Sequence, residues 1–276
     1  LLNVIQEAKV FKVYFQERKD SVKKSRFFTR KFVPPAQSLQ ALKKGRVINM
    51  KVKKYTLFCI LAAVSAVGIV SAVFLLEYTG EPGGMTFIDP AWINMAGWRF
   101  PLSLNLAAFL IPLYLPGFWS IRCLLAKIHP KAANVYFASV SFGTIMGASF
   151  IHSVLCYFPM IYQQLNGAGQ TLLAEEVISN ILVAIMPVFI VHYLITWVFP
   201  QILLLVLIIQ GKTVLKRRMA FLNPFVFLLF GLICSLLASQ ALQAVYVGII
   251  NKGNTVLFIA AAVYSYKLLD NKGQTE

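Results

Sequence analysis

The chain of 276 residues carries 26 Lys or Arg against 10 Asp or Glu, a formal charge of +16, yet only 13% of it is charged and 58% is hydrophobic. Mean hydropathy is +0.71. A soluble domain of this length has about 25% charged residues, so an ordinary water-soluble globule is excluded. Without a Gly-rich phosphate loop or a polar stretch able to house a nucleotide domain, the sequence also argues against ATP-driven transport by this chain alone.

The charge is unevenly spread. Residues 1–49 hold 12 Lys or Arg and 3 Asp or Glu, a net of +9. Two readings of this arm stand. It is a juxtamembrane segment drawn to anionic headgroups, at about 1 kcal/mol per basic residue, or it is an over-extended gene start, with Met50 opening the native protein. Residues 4–15 have loosely helical spacing, and Pro34 and Pro35 break whatever precedes them. Basic charge alone is only an electrostatic footprint, so nucleic acid is not expected as a partner.

A bilayer span needs roughly 20 predominantly apolar residues. Uncharged intervals at 55–76, 100–121, 132–174, 177–211 and 219–251, with a shorter one at 253–266, supply them. The expected fold class is all-α, a polytopic transmembrane helix bundle over residues 50–276. Its six spans fall at 55–77, 102–121, 134–162, 176–210, 221–249 and 255–268. Lys and Arg gather in cytoplasmic loops. Lys51, Lys53 and Lys54 precede the first span, and Arg122, Lys127 and Lys131 follow the second. Lys212, Lys216, Arg217 and Arg218 follow the fourth, and Lys267 and Lys272 close the chain, so both termini fall inside.

Pro112 and Pro116 should bend the second span. Residues 171–211 would make a straight helix of about 61 Å at 1.5 Å per residue. One helix kinked at Pro187 and Pro200 respects the charge rule, and a seven-span alternative splits it at Pro187. Asn251, Lys252, Gly253 and Asn254 read as a short outer turn between the fifth and sixth spans.

Helices in lipid associate through close backbone contact at small residues. Ser139, Gly143 and Gly147 recur every four residues in the third span, with Gly68 and Ala72 in the first and Ser235 and Ser239 in the fifth. These faces serve either helix packing within the chain or an oligomer interface.

An ionisable group within the hydrocarbon is costly and is by default a functional hypothesis. His152 lies in the third span and His192 in the fourth. Ser149, His152, Cys156 and Gln163 are spaced to share one helix face. Gln240 and Gln243 sit three apart in the fifth span, Asn180 lies one turn below Glu176, and Glu77 ends the first span. If these faces converge they line a cavity open to the outside, with Glu77, Glu175 and Glu176 at its mouth. The competing reading is that each residue simply hydrogen-bonds a neighbouring helix, at about 0.6–2 kcal/mol. Either buried His would suit a proton relay, since an unperturbed pKa of about 6.5 lies near physiological pH.

No His-Glu-x-x-His or paired-Cys spacing is present, so no metal site is expected and no cofactor is assigned. His129 reads as an exposed loop residue, and Cys59, Cys123, Cys156 and Cys234 as dispersed apolar thiols. The stretch from Gly147 through His152 to Ser153, then Tyr157, Phe158 and Pro159, combines with the basic start and Pro-rich second span. Over about residues 50–270 this resembles uncharacterised bacterial multi-pass membrane families of unknown function, and the resemblance implies no activity.

The leading functional expectation is a plasma-membrane protein whose partners are the bilayer and a small solute, ion or lipid, bound or moved through the outward cavity. The rivals are a membrane-embedded enzyme using His and Glu, although catalysis is the less expected outcome, and an accessory or scaffold subunit of a membrane complex.

Overall fold

The computed structural model describes the backbone of residues 35–79, 88–213, 215–236 and 247–273, and within these the side chains of all but 35–52, 235 and 267–273. Residues 49–276 form one compact unit; of the preceding unit, residues 1–48, the described part is helical backbone. The helix expected over residues 4–15 lies outside the described residues, as do Ser239, Gln240 and Gln243.

Among the described residues all regular structure is helical. Among the described residues six helices carry the fold: α1 (Pro35–Glu77), α2 (Arg99–Leu125), α3 (Pro130–Gly167), α4 (Thr171–Ile209), α5 (Pro224–Leu236) and α6 (Ile249–Gly273). Four segments, Lys53–Glu77 of α1 together with α2, α3 and α4, are long and apolar enough to cross a membrane. The chain is therefore read as a membrane protein.

Helix α1 shows why. Cys59, Ala62, Ala66, Ile69, Val73 and Leu76 fall at alternating steps of three and four, and all are buried. Leu57, Ile60, Leu61, Val64 and Val67 are exposed, as expected of a face turned to lipid. Half of the most apolar stretch of α1 is buried, against 11% of that of α4. The first helix is central and the fourth peripheral.

Pro112 replaces regular helix with a short 3₁₀ turn, Ile111–Leu113, inside α2. The Leu110 carbonyl beside that turn accepts a hydrogen bond from the Ser65 hydroxyl of α1. A polar group that would be costly in hydrocarbon is thus satisfied by a neighbouring helix. Beyond the turn, Tyr114 and Phe118 stack edge-to-face with Phe258 of α6, and Phe118 also meets Tyr136 of α3. At the far end of α2, Arg122 donates to Asn134 Oδ1 at 2.7 and 3.0 Å and stacks on Trp119.

Residues 171–209 are continuously helical, as expected for one helix rather than two. Its irregularity is a π-helical turn, Leu194–Val198, just before Pro200. A second π turn, Gly147–Ile151, interrupts α3. Each lies beside one buried histidine, His192 before its turn and His152 after its own. π turns of this length concentrate at functional sites.

The expected outer turn at Asn251, Lys252, Gly253 and Asn254 is corrected by the structure. These residues form the first turns of α6, and Gly253 and Asn254 are buried. The chain turns earlier, at Val247 and Gly248, where Gly248 takes φ +64°, a left-handed conformation that favours glycine. Gly253 lies against Pro224 and Phe227 of α5, so close helix packing overrides its turn propensity. Helix α5 begins at Pro224 with Asn223 as its cap, the Asn223 side chain accepting from Phe225 N at 2.8 Å.

Candidate functional site

The small-residue face of α3 is where the site begins. A Cβ on Gly143 would stand 1.8 Å from Thr196 Oγ1, so only glycine lets α4 approach this closely. One turn earlier the Ser139 hydroxyl donates to the Ile195 carbonyl at 2.7 Å. Ser139, Gly143 and Gly147 are thus covered by α4 within the chain. The close approach brings His192 Nε2 to 3.0 Å from the Gly143 carbonyl.

His152 is held by α2. Its Nε2 lies 3.0 Å from Ser103 Oγ, and Ser103, fully buried, donates to the Ala72 carbonyl of α1 at 2.6 Å. The Cys156 thiol, one turn along α3, donates to the same Ser103 oxygen at 3.7 Å. A single hydroxyl therefore ties three helices around one imidazole.

His152, His192 and Glu77 line one cavity of about 330 Å³, together with Tyr114, Thr144, Trp197 and Asn251. Both histidines are nearly buried, at 8% and 6% exposure, whereas Glu77 is exposed and stands at the rim. At the end of α1, Arg99 donates to the Phe74 and Tyr78 carbonyls at 3.1 and 2.7 Å. This satisfies carbonyls at the end of α1, where a cation is also favoured by the helix dipole. Tyr114 donates to Asn251 Oδ1 at 2.9 Å, and Thr144 donates to the Val140 carbonyl at 2.6 Å.

The remaining sequence-derived candidates lie elsewhere. Glu176 and Asn180 are exposed on α4 and do not line the cavity. Ala174 and Ile178 hold the buried face of those turns, and a step of two residues turns a side chain about 200° around a helix. Glu175 is half-buried and is also not part of the lining. Gln240 and Gln243 lie outside the described residues.

The polar face expected on α3 is corrected at one position. His152 and Cys156 are buried, but Ser149 is exposed and donates to the Ile145 carbonyl at 2.8 Å. Ser149 sits within the π turn, whose extra residue breaks the three-and-four phase on which that face depended. Gln163 has a structural partner: its side-chain nitrogen donates to the Trp92 and Met95 carbonyls at 2.7 and 2.6 Å, pinning the 3₁₀ helix Pro90–Asn94 to α3.

Sequence reasoning missed Ser103, Tyr114, Thr144, Trp197 and Asn251. Their apolar surroundings gave no local signal, and Asn251 read as part of a turn. Among the described residues no three His, Cys, Asp or Glu side chains come together in a metal-holding group.

Residues 44–268 match the model of one protein family. The chain belongs to DUF6796, a family of unknown function. No curated protein and no solved structure matches it. Membership in DUF6796 thus covers the whole candidate site, from Glu77 to Asn251, and the reading of that site rests on its geometry.

Proposed function

We propose that this DUF6796 chain is a multi-pass plasma-membrane protein, with both termini in the cytoplasm, that binds or moves a small solute, ion or lipid at the cavity of His152, His192 and Glu77. The observation that carries the reading is convergence. Titratable groups from α1, α3 and α4 line a single space of about 330 Å³ in a chain that is 58% hydrophobic. Isolated packing histidines need only one partner each on a neighbouring helix and have no reason to share a cavity with a carboxylate. The acidic stretch that follows α1 supports an outer position for the Glu77 rim, since basic residues gather on the inner side.

Thiol accessibility tests this directly. The four native cysteines are replaced by alanine, and Glu77→Cys and Ile250→Cys are made singly, both being positions of the cavity lining. In intact cells a membrane-impermeant maleimide should label both. Labelling only after permeabilisation would overturn the outward opening. Labelling from neither side would reduce the cavity to a packing void and overturn the functional reading.

A further inference from the structure

We infer that the cavity selects a small organic ammonium as its ligand; this rests on the binding reading above and adds the chemical class. The inference follows from where each proton in the lining is already committed.

Ser103 has one hydroxyl hydrogen, and it goes to the Ala72 carbonyl. Toward His152 Nε2 the Ser103 oxygen can therefore only accept, so that nitrogen carries the ring hydrogen. The Gly143 carbonyl can likewise only accept, so His192 Nε2 also carries its ring hydrogen. In both neutral rings the remaining nitrogen, Nδ1, is a bare lone pair, and both rings line the cavity. The hydroxyl hydrogens of Tyr114 and Thr144 are spent on Asn251 Oδ1 and the Val140 carbonyl, which leaves their oxygens as acceptors.

Among the described lining residues the donors left are the Asn251 amide, the Trp197 indole and the first-turn N–H groups of α6, all without formal charge. Among the described lining residues Glu77 supplies the only formal charge. A carboxylate at the edge of a low-dielectric space favours a cation beside it. The acceptors are too dispersed to form a three-ligand metal group among the described residues, but they suit a cation that carries several N–H donors of its own. The aromatic rings of Tyr114 and Trp197 line the same space, and such rings are frequent partners of organic cations.

The test uses the full chain in detergent, with thermal unfolding as the readout and ethylammonium, acetamide and acetate as probes of similar size. Ethylammonium should raise the unfolding midpoint in a saturable way, and acetamide and acetate should not. Glu77→Gln, at an exposed position, should fold normally and weaken ethylammonium binding about tenfold or more, the loss of one charge-assisted contact. The ¹⁵N shifts of labelled His152 and His192 should show hydrogen on Nε2 and not on Nδ1. Saturable binding of acetate or acetamide in place of ethylammonium, or hydrogen on either Nδ1, would overturn the ammonium inference and leave the cavity reading standing. Binding of none of the three to a chain whose cavity labels from outside would also overturn the ammonium class alone; the same silence from a chain that labels from neither side would take both down.

Discussion

Two concave surfaces of this bundle differ less in size than in what their walls offer. The groove between α1 and α6 is the larger, about 460 Å³, and is walled mainly by Ile60, Ala63, Val64, Val67, Ile259 and Val263. The cavity at His152 and His192 holds about 330 Å³ but adds a carboxylate, two imidazoles, a phenol and an amide. In water an exposed apolar groove would itself mark a binding site. In hydrocarbon it is ordinary lipid-facing surface, because acyl chains are as apolar as its walls. Polar groups carry the opposite message there: each is costly, and several converging on one space is the feature that calls for a function.

The contrast is broken most severely at Gly143. Gly143→Ala places a methyl group 1.8 Å from Thr196 Oγ1, and overpacking of this kind costs about 1–3 kcal/mol or more. The unfolding midpoint should fall sharply, and the polar cavity should lose the α4 wall while the α1–α6 groove is untouched. Adding Thr196→Ala should not restore stability, because the Thr196 Cβ itself would lie 2.3 Å away. Thr196→Gly should restore part of it. An unchanged midpoint in Gly143→Ala would show that α3 and α4 do not meet at this residue.

Ser103→Ala is the next largest. It deprives the His152 and Cys156 donors of their shared acceptor and the Ala72 carbonyl of its donor, at about 1–3 kcal/mol for buried groups left unpaired. Thermal unfolding should show the loss, and the ¹⁵N signals of His152 should no longer report a single fixed tautomer. A variant with normal stability and an unchanged His152 spectrum would mean that Ser103 does not orient the ring.

The smallest effect is expected in the groove. Val67→Phe adds bulk at an exposed, lipid-facing position, and such substitutions usually stay within about 0.5 kcal/mol. Stability and ethylammonium binding should both be unchanged. A loss of binding in this variant would erase the distinction between the two surfaces.

Much of the fold was legible because membrane helices announce themselves by composition. The apolar stretches, the unbroken fourth helix and the contact role of Ser139, Gly143 and Gly147 all follow from residue type and spacing. Local propensity misled at Asn251 to Asn254, where turn-forming residues are carried inside α6 by packing against α5. Periodicity misled at Ser149, because a π turn cannot be seen in a 3.6-residue pattern. His152, His192 and Glu77 stood out as rare titratable groups in apolar sequence. The serine, tyrosine and asparagine around them did not, since their meaning depends on which helix lies opposite.

The most direct test is an experimental structure of the chain in lipid nanodiscs with ethylammonium present. The expected map has His152 Nε2 within hydrogen-bond reach of Ser103, His192 Nε2 on the Gly143 carbonyl, and density for the cation between the two rings and the Glu77 carboxylate. A map in which the two histidines face lipid, or lie on helices that share no cavity, would contradict the site itself.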